Sequence, residues 1–182
     1  MSEDYTIRRF APEDVSEVRT IILRCLREVN SKDYPADKIA EVCGHFSLET
    51  ILKQAETAHM YVAVSASGRI LGTGTIAPFF GSETESILLA IYVLPELIGH
   101  GIGSGIVRKL EQDAFFLQAN RIEIPAAVTA LGFYQKMGYV FKDGKGIQGD
   151  DGLIRMEKRR CWSGQQDSNL RPHAPKARAL PD

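Results

Sequence analysis

Apolar side chains recur with two periods along this chain, and the switch from one to the other predicts its elements. Tyr5-Thr6-Ile7-Arg8 alternates apolar and polar positions, as a half-buried strand does. Pro12, Glu13 and Asp14 then signal a helix start, since proline fits the first turn and acids favour the positive end of the helix dipole. Val15, Val18, Ile22, Leu26 and Val29 line one face of that helix. A second helix is expected from about Ala36 to Cys43, and a third after Ser47, an N-cap residue type, through Ile51, Leu52 and Ala55.

The pattern then turns to strands. Met60 to Val64 and Arg69 to Ile76 flank the turn Ser65-Ala66-Ser67-Gly68 and read as a hairpin, although Gly72 and Gly74 are poor strand formers. Ile87 to Val93 is nearly all apolar, as a strand covered on both faces requires. A glycine-rich turn follows, and Ile106, Val107, Leu110, Ala114 and Leu117 predict one helix running to about Leu117. Arg121 to Ile124 is a short strand closed by Pro125, and Ala127 to Met137 a helix stopped by Gly138. Tyr139 to Phe141 and Leu153 to Glu157 are the last strands. The order β-α-α-α-β-β-β-α-β-α-β-β predicts one mixed α/β domain over residues 1–160. Residues 161–182 hold Pro172, Pro175 and Pro181 and few apolar positions, so a disordered tail is expected there.

Composition narrows the functional classes. A formal charge of −1 gives no electrostatic reason to expect nucleic acid or a membrane surface. The three cysteines, Cys25, Cys43 and Cys161, are scattered and suggest neither a disulfide framework nor a metal site. No basic and apolar leader begins the chain and no apolar run nears the ~20 residues of a membrane span, so a cytoplasmic protein is expected.

The most informative stretch is Tyr92-Val93-Leu94-Pro95-Glu96-Leu97-Ile98-Gly99-His100-Gly101-Ile102-Gly103-Ser104-Gly105. An apolar strand ends in a glycine turn that opens directly into an amphipathic helix. Glycines let a backbone approach a ligand closely, and the first N–H groups of a helix have no intrahelical partner. Together they make a site for a phosphorylated ligand. A Rossmann-type dinucleotide turn needs a βαβ unit near the N-terminus and an acid about 20 residues on, and this turn instead follows an apparent antiparallel hairpin.

Three motifs in order resemble the GNAT superfamily of N-acetyltransferases. The first is the hairpin and the strand ending in Tyr92-Val93-Leu94-Pro95-Glu96; the second is Ile98-Gly99-His100-Gly101-Ile102-Gly103, similar to that family's pyrophosphate loop. The third is Ala130-Leu131-Gly132-Phe133-Tyr134-Gln135-Lys136-Met137-Gly138-Tyr139, similar to its A-x-x-F-Y-x-K-x-G-F/Y helix end. Two positions depart from the family: Ile98 replaces a Gln or Arg at the loop head, and Ala127 replaces an Asn common before the tyrosine.

The resemblance implies an α+β fold with a mixed, mostly antiparallel sheet flanked by helices on both faces. It implies acetyl coenzyme A as co-substrate, no metal, and a primary amine of a small molecule or peptide as acceptor, in a monomer or homodimer. Ile91, Tyr92 and Val93 on the strand, and Ile98, Gly99, His100, Gly101, Ile102, Gly103 and Ser104 in the turn, would hold the cofactor. Tyr134 would be the general acid. Glu85 is the first candidate for the base, with Glu83 and Glu123 behind it, whereas His45 and His59 read as structural. The alternative is a module that binds coenzyme A without turnover.

Overall fold

The structure, a computed structural model, describes residues 4–160. The expected tail over 161–182 lies outside the described residues. Seven strands form one sheet in the order β1-β2-β3-β4-β5-β7-β6. They are β1 (Tyr5–Arg9), β2 (His59–Ser65), β3 (Ile70–Pro78), β4 (Glu85–Val93), β5 (Arg121–Ala126), β6 (Val140–Phe141) and β7 (Ile154–Arg159). Every neighbouring pair is antiparallel except β4 and β5, which run parallel. The expected mixed, mostly antiparallel sheet is therefore present.

Among the described residues six α-helices accompany it: α1 (Val15–Glu28), α2 (Ala36–Gly44), α3 (Leu48–Thr57), α4 (Ile102–Leu110), α5 (Ala114–Gln118) and α6 (Leu131–Lys136). In α1 the buried positions Val18, Ile21, Ile22, Cys25 and Leu26 repeat at helical spacing and pack on β3 and β4. Before α1, the Asp14 carboxylate accepts from the backbone N–H of Ala11 at 2.8 Å and from both Arg8 amino groups at 2.6 and 2.8 Å. Ser47 caps α3 as its residue type suggests, its hydroxyl accepting from the Thr50 N–H at 3.0 Å. Gly138 stops α6 in a left-handed conformation at φ 86°.

The two strand glycines acquire a reason here. Gly74 faces α4, and a Cβ on it would lie 2.5 Å from Ile106 Cγ2 and 3.1 Å from Leu110 Cδ1. Ile106 and Leu110 are fully buried, each contributing about 1.5–3 kcal/mol by leaving water. Residues that weaken a strand locally thus let a helix settle onto the sheet.

Two boundaries differ from the periodicity. The helix expected to reach Leu117 is broken after Leu110, because Asp113 adopts an extended backbone and caps a new helix, accepting from the Phe115 N–H at 2.9 Å. The same carboxylate takes the Tyr61 hydroxyl at 2.7 Å and a ring nitrogen of His59 at 2.8 Å. That long-range pull overrides the apolar spacing. β5 also runs past Pro125 to Ala126, at a point where it has no neighbour on its β4 side. A proline there removes no ladder bond on the open side.

Replacing Gly74 by alanine should lower stability by about 1–3 kcal/mol through overpacking against α4. Urea unfolding checks this, and an unchanged midpoint would show that α4 has room to move.

Candidate active site

β4 and β5 stay together for only three pairs, Glu85 with Arg121, Ser86 with Ile122 and Ile87 with Glu123. Beyond them the strands part. On its other edge β4 pairs Leu89 with Thr75 and Tyr92 with Thr73, so Ala90 and Ile91 together oppose Gly74 alone. This is a bulge, and Ala90 carries it at φ 49°, a left-handed conformation that costs a non-glycine residue about 1–2 kcal/mol. Strain of this kind persists only where the surroundings enforce it.

The gap is a cavity of about 760 Å³, within the size range of small-molecule sites. One wall is β4 from Leu88 to Val93, and the facing wall is Ile124 and Pro125 of β5 with the start of α6. One end is the glycine turn and the first turn of α4. Gly99 (φ 90°) and Gly101 (φ 86°) are left-handed there, and Gly101 sits just before Ile102, the first helical residue. A Cβ on Gly101 would meet no atom within 4 Å, so the residue is there for its backbone angle and leaves the approach open. The other end is made by α1, α2 and the turn before β7, which bring Tyr34, Glu41, His45 and Asp151 to the wall.

Tyr134 reaches this cavity from α6. The residue is 6% exposed, and its hydroxyl has no hydrogen-bond partner among the described residues. Burial holds the phenol well above its ordinary range, so it stays protonated at neutral pH. Burial acts likewise on Tyr92, whose ring meets Phe46 edge-on at 6.1 Å. Cys25 belongs to the same wall. Its thiol donates to the Val93 carbonyl at 2.9 Å, and burial pushes it up to about 12. The cavity is therefore a medium that disfavours charge.

Nine of the residues singled out from the sequence line the cavity: Ile91, Tyr92, Val93, Ile98, Gly99, Gly101, Gly103, Ser104 and Tyr134. Three do not. Ile102 is 1% exposed, its side chain in the core, so only its backbone faces the turn. His100 is exposed, with Nδ1 3.3 Å from the Ile98 carbonyl.

Glu85 is the third, and its placement corrects the first choice of base. It lies at the closed end of the β4–β5 pair, where Arg121 donates to both its oxygens at 2.9 and 2.7 Å and holds its carboxyl below the ordinary range. Glu123 is 3% exposed and takes Arg121 at 2.6 Å and Lys142 at 2.7 Å, also outside the cavity. Glu83 does not line it either. Sequence reasoning passed over Ala90, Tyr34, Glu41 and Asp151 and read His45 as structural, yet all five line the cavity. No local signal marks them, because each reaches the wall only through packing of separate elements.

Among the described residues, no group of three His, Cys, Asp or Glu side chains is placed to hold a metal ion. No described helix is long and apolar enough to cross a membrane.

The model of the Acetyltransferase (GNAT) family matches residues 16–139. Among solved structures, a PaiA N-acetyltransferase from Thermoplasma acidophilum in complex with coenzyme A aligns with a TM-score of 0.72 at 17% identity, covering 86% of this chain and 99% of that one. A GNAT family acetyltransferase from Staphylococcus aureus aligns at 0.65 and 14% identity, covering 86% and 99%. One from Brucella melitensis in complex with acetyl-CoA aligns at 0.56 and 23% identity, covering 75% and 83%. At these identities the likeness is one of fold. No curated relative matches the chain in sequence.

An alkaline absorbance titration tests the burial of Tyr134. Its phenol stays protonated past the ordinary range, so Tyr134→Phe should leave the tyrosinate signal gained between about pH 9 and 11 unchanged. Loss of one tyrosinate equivalent would place the hydroxyl in water.

Proposed function

The chain belongs to the GNAT family of acetyltransferases, and from that premise we propose that it moves an acetyl group from acetyl coenzyme A to a primary amine. One observation carries the reading: a parted, bulged β4 and an unpartnered buried phenol face the same cavity. Coenzyme A carries a diphosphate at one end and an amide-bearing arm ending in sulfur at the other. The unpaired N–H groups at the start of α4 suit the diphosphate, and the helix dipole adds to their pull. Ile98 offers that end no polar side chain, so binding there rests on backbone. The backbone of β4 between Leu88 and Val93, unpaired on its β5 side, suits the amides of the arm.

In the reaction the amine nitrogen attacks the thioester carbonyl carbon, a C–N bond forms, and the C–S bond breaks with its electrons going to sulfur. N–H groups of β4 around the bulge polarise the carbonyl oxygen. The Tyr134 hydroxyl protonates the departing sulfur and is restored by the proton that the amine loses. A phenol near 10 and a thiol near 8.5 make that transfer uphill by about 2 kcal/mol in water. Burial raises both groups, and the thiol of Cys25 in the same wall, pushed up to about 12, gauges the effect on a thiol there. Desolvation raises donor and acceptor alike and so leaves the gap in place, and the positioning of the hydroxyl against the sulfur has to supply it.

The acceptor arrives as an ammonium and loses a first proton, before attack, at the end lined by α2; the proton that restores Tyr134 is the second, lost after the C–N bond has formed. Glu41 is tied to Lys38 at 3.0 Å and Asp151 to Arg155 at 2.6 Å. His45 lines the same end and has no ion-pair partner among the described residues, and an imidazole nitrogen can accept a proton from an amine. We therefore assign His45 the role first given to Glu85.

Tyr134→Phe should lower kcat by about a hundredfold or more, the usual range for losing a positioned acid, with the Kd for coenzyme A within about twofold. Thiol release and calorimetry measure the two quantities, and equal losses in both would make Tyr134 a packing residue. Glu85→Gln, at the far end of the strand pair, should change kcat by less than about threefold, as for a partly exposed ion pair away from the reaction. Binding without thiol release from any primary amine would favour the coenzyme-binding module instead.

A further inference from the structure

The acceptor end of the cavity is crossed by one side chain. Tyr34 lies between α1 and α2, and its hydroxyl donates to the Gly152 carbonyl at 2.9 Å and accepts from the Val128 N–H at 3.1 Å. These partners stand 118 and 94 residues away in the chain. Each sits among cavity-lining residues, Gly152 between Asp151 and Leu153, and Val128 between Ala127 and Thr129. Three walls of the acceptor end therefore converge on one phenol.

The far anchor is a tight turn. Gly152 donates its N–H to the Gly149 carbonyl at 2.9 Å, and its own carbonyl takes a second donor, Gln148 Nε2, at 2.6 Å. Gly152 is left-handed at φ 82°, and a Cβ on it would come within 3.2 Å of Tyr34 Cε1. The ring thus lies directly on the glycine backbone. At the near anchor, Val128 opens the short turn that leads into α6 and Tyr134, so the strap reaches the segment that carries the acid.

We propose that Tyr34 is a specificity-determining strap that closes the acceptor end and restricts the acceptor to a small primary amine, excluding an extended peptide. The proposal rests on the acetyl-transfer reading above. An extended chain laid between two backbone segments needs about 4.8 Å on each side. The Tyr34 ring occupies that space between the α1–α2 link and the turn at Gly152. A cavity of about 760 Å³ must also hold the thioester arm, which leaves room for a compact acceptor. Its wall at this end is mainly apolar, with Val29, Ile39, Val42, Phe46 and Leu153. Glu41 and Asp151 on the same wall are each paired, with Lys38 and Arg155, so the apolar part of the wall is what an acceptor body meets. The acceptor class is therefore a small amine on an apolar body.

Thiol release from acetyl coenzyme A tests this with butylamine, phenethylamine and a hexapeptide with a free N-terminus. For the unaltered protein, kcat/KM for the better small amine should exceed that for the peptide by roughly a hundredfold, the order of discrimination a pocket wall provides. Tyr34→Ala removes the ring, and Tyr34→Phe keeps it and removes both hydrogen bonds. Tyr34→Ala should cut the ratio by about tenfold by raising kcat/KM for the peptide, and Tyr34→Phe by less, since two hydrogen bonds hold the ring in place. Calorimetry should find coenzyme A affinity within about twofold in both variants, as expected for groups at the other end of the cavity. Peptide acetylation by the unaltered protein at the rate of the small amines, or a ratio unmoved in Tyr34→Ala, overturns the strap and leaves the acetyl-transfer reading standing. Coenzyme A binding with no thiol release from any acceptor overturns both.

Discussion

A parallel pair of strands that stops after three residues governs this molecule. Buried backbone N–H and C=O groups need partners, and in a continuous sheet the next strand supplies them. Past Ile87, β4 has none on its β5 side, and the bulge at Ala90 lies within this unpaired stretch. A ligand bearing its own amides satisfies such an edge in the way an added strand would. The glycine turn, the start of α4 and Tyr134 matter because they line the opening that this parting creates.

The parting is held at a definite point by charge. At the closed end Arg121 bridges Glu85 and Glu123, and Lys142 completes the set from beyond β6. These groups lie where the two strands last pair, so they act as a clamp at the base of the opening. A carboxylate committed to such a clamp, with its carboxyl held below the ordinary range, is poorly suited to accept a proton from a substrate. The same ion pair that disqualifies Glu85 as a base explains why β4 and β5 begin together before they separate.

The wall of the opening has the opposite character. It raises the phenols of Tyr92 and Tyr134 and the thiol of Cys25, in each case chiefly by desolvation. Proton donors that stay neutral and carbonyls that feel nearby N–H groups strongly are consequences of one low-dielectric space. Of the charged side chains on the wall, Glu41 pairs with Lys38 and Asp151 with Arg155 at the end made by α1, α2 and the turn before β7, and Lys136 lines the α6 side.

Sequence alone determined the elements whose signals are local. Apolar periods gave the strands and α1, Ser47 and Gly138 marked helix ends, and glycines before an amphipathic helix marked the turn that ends the cavity. Tyr134 was legible because its motif spans one short helix. Only the tertiary structure decided what depends on distant partners. Asp113 broke a helix that apolar spacing had made continuous, because Tyr61 and His59 claim its carboxylate. Arg121 withdrew Glu85 from the site, and Tyr34 met Gly152 across 118 residues. A period records which face a side chain takes; which group it meets there is set by how elements far apart in the chain pack together.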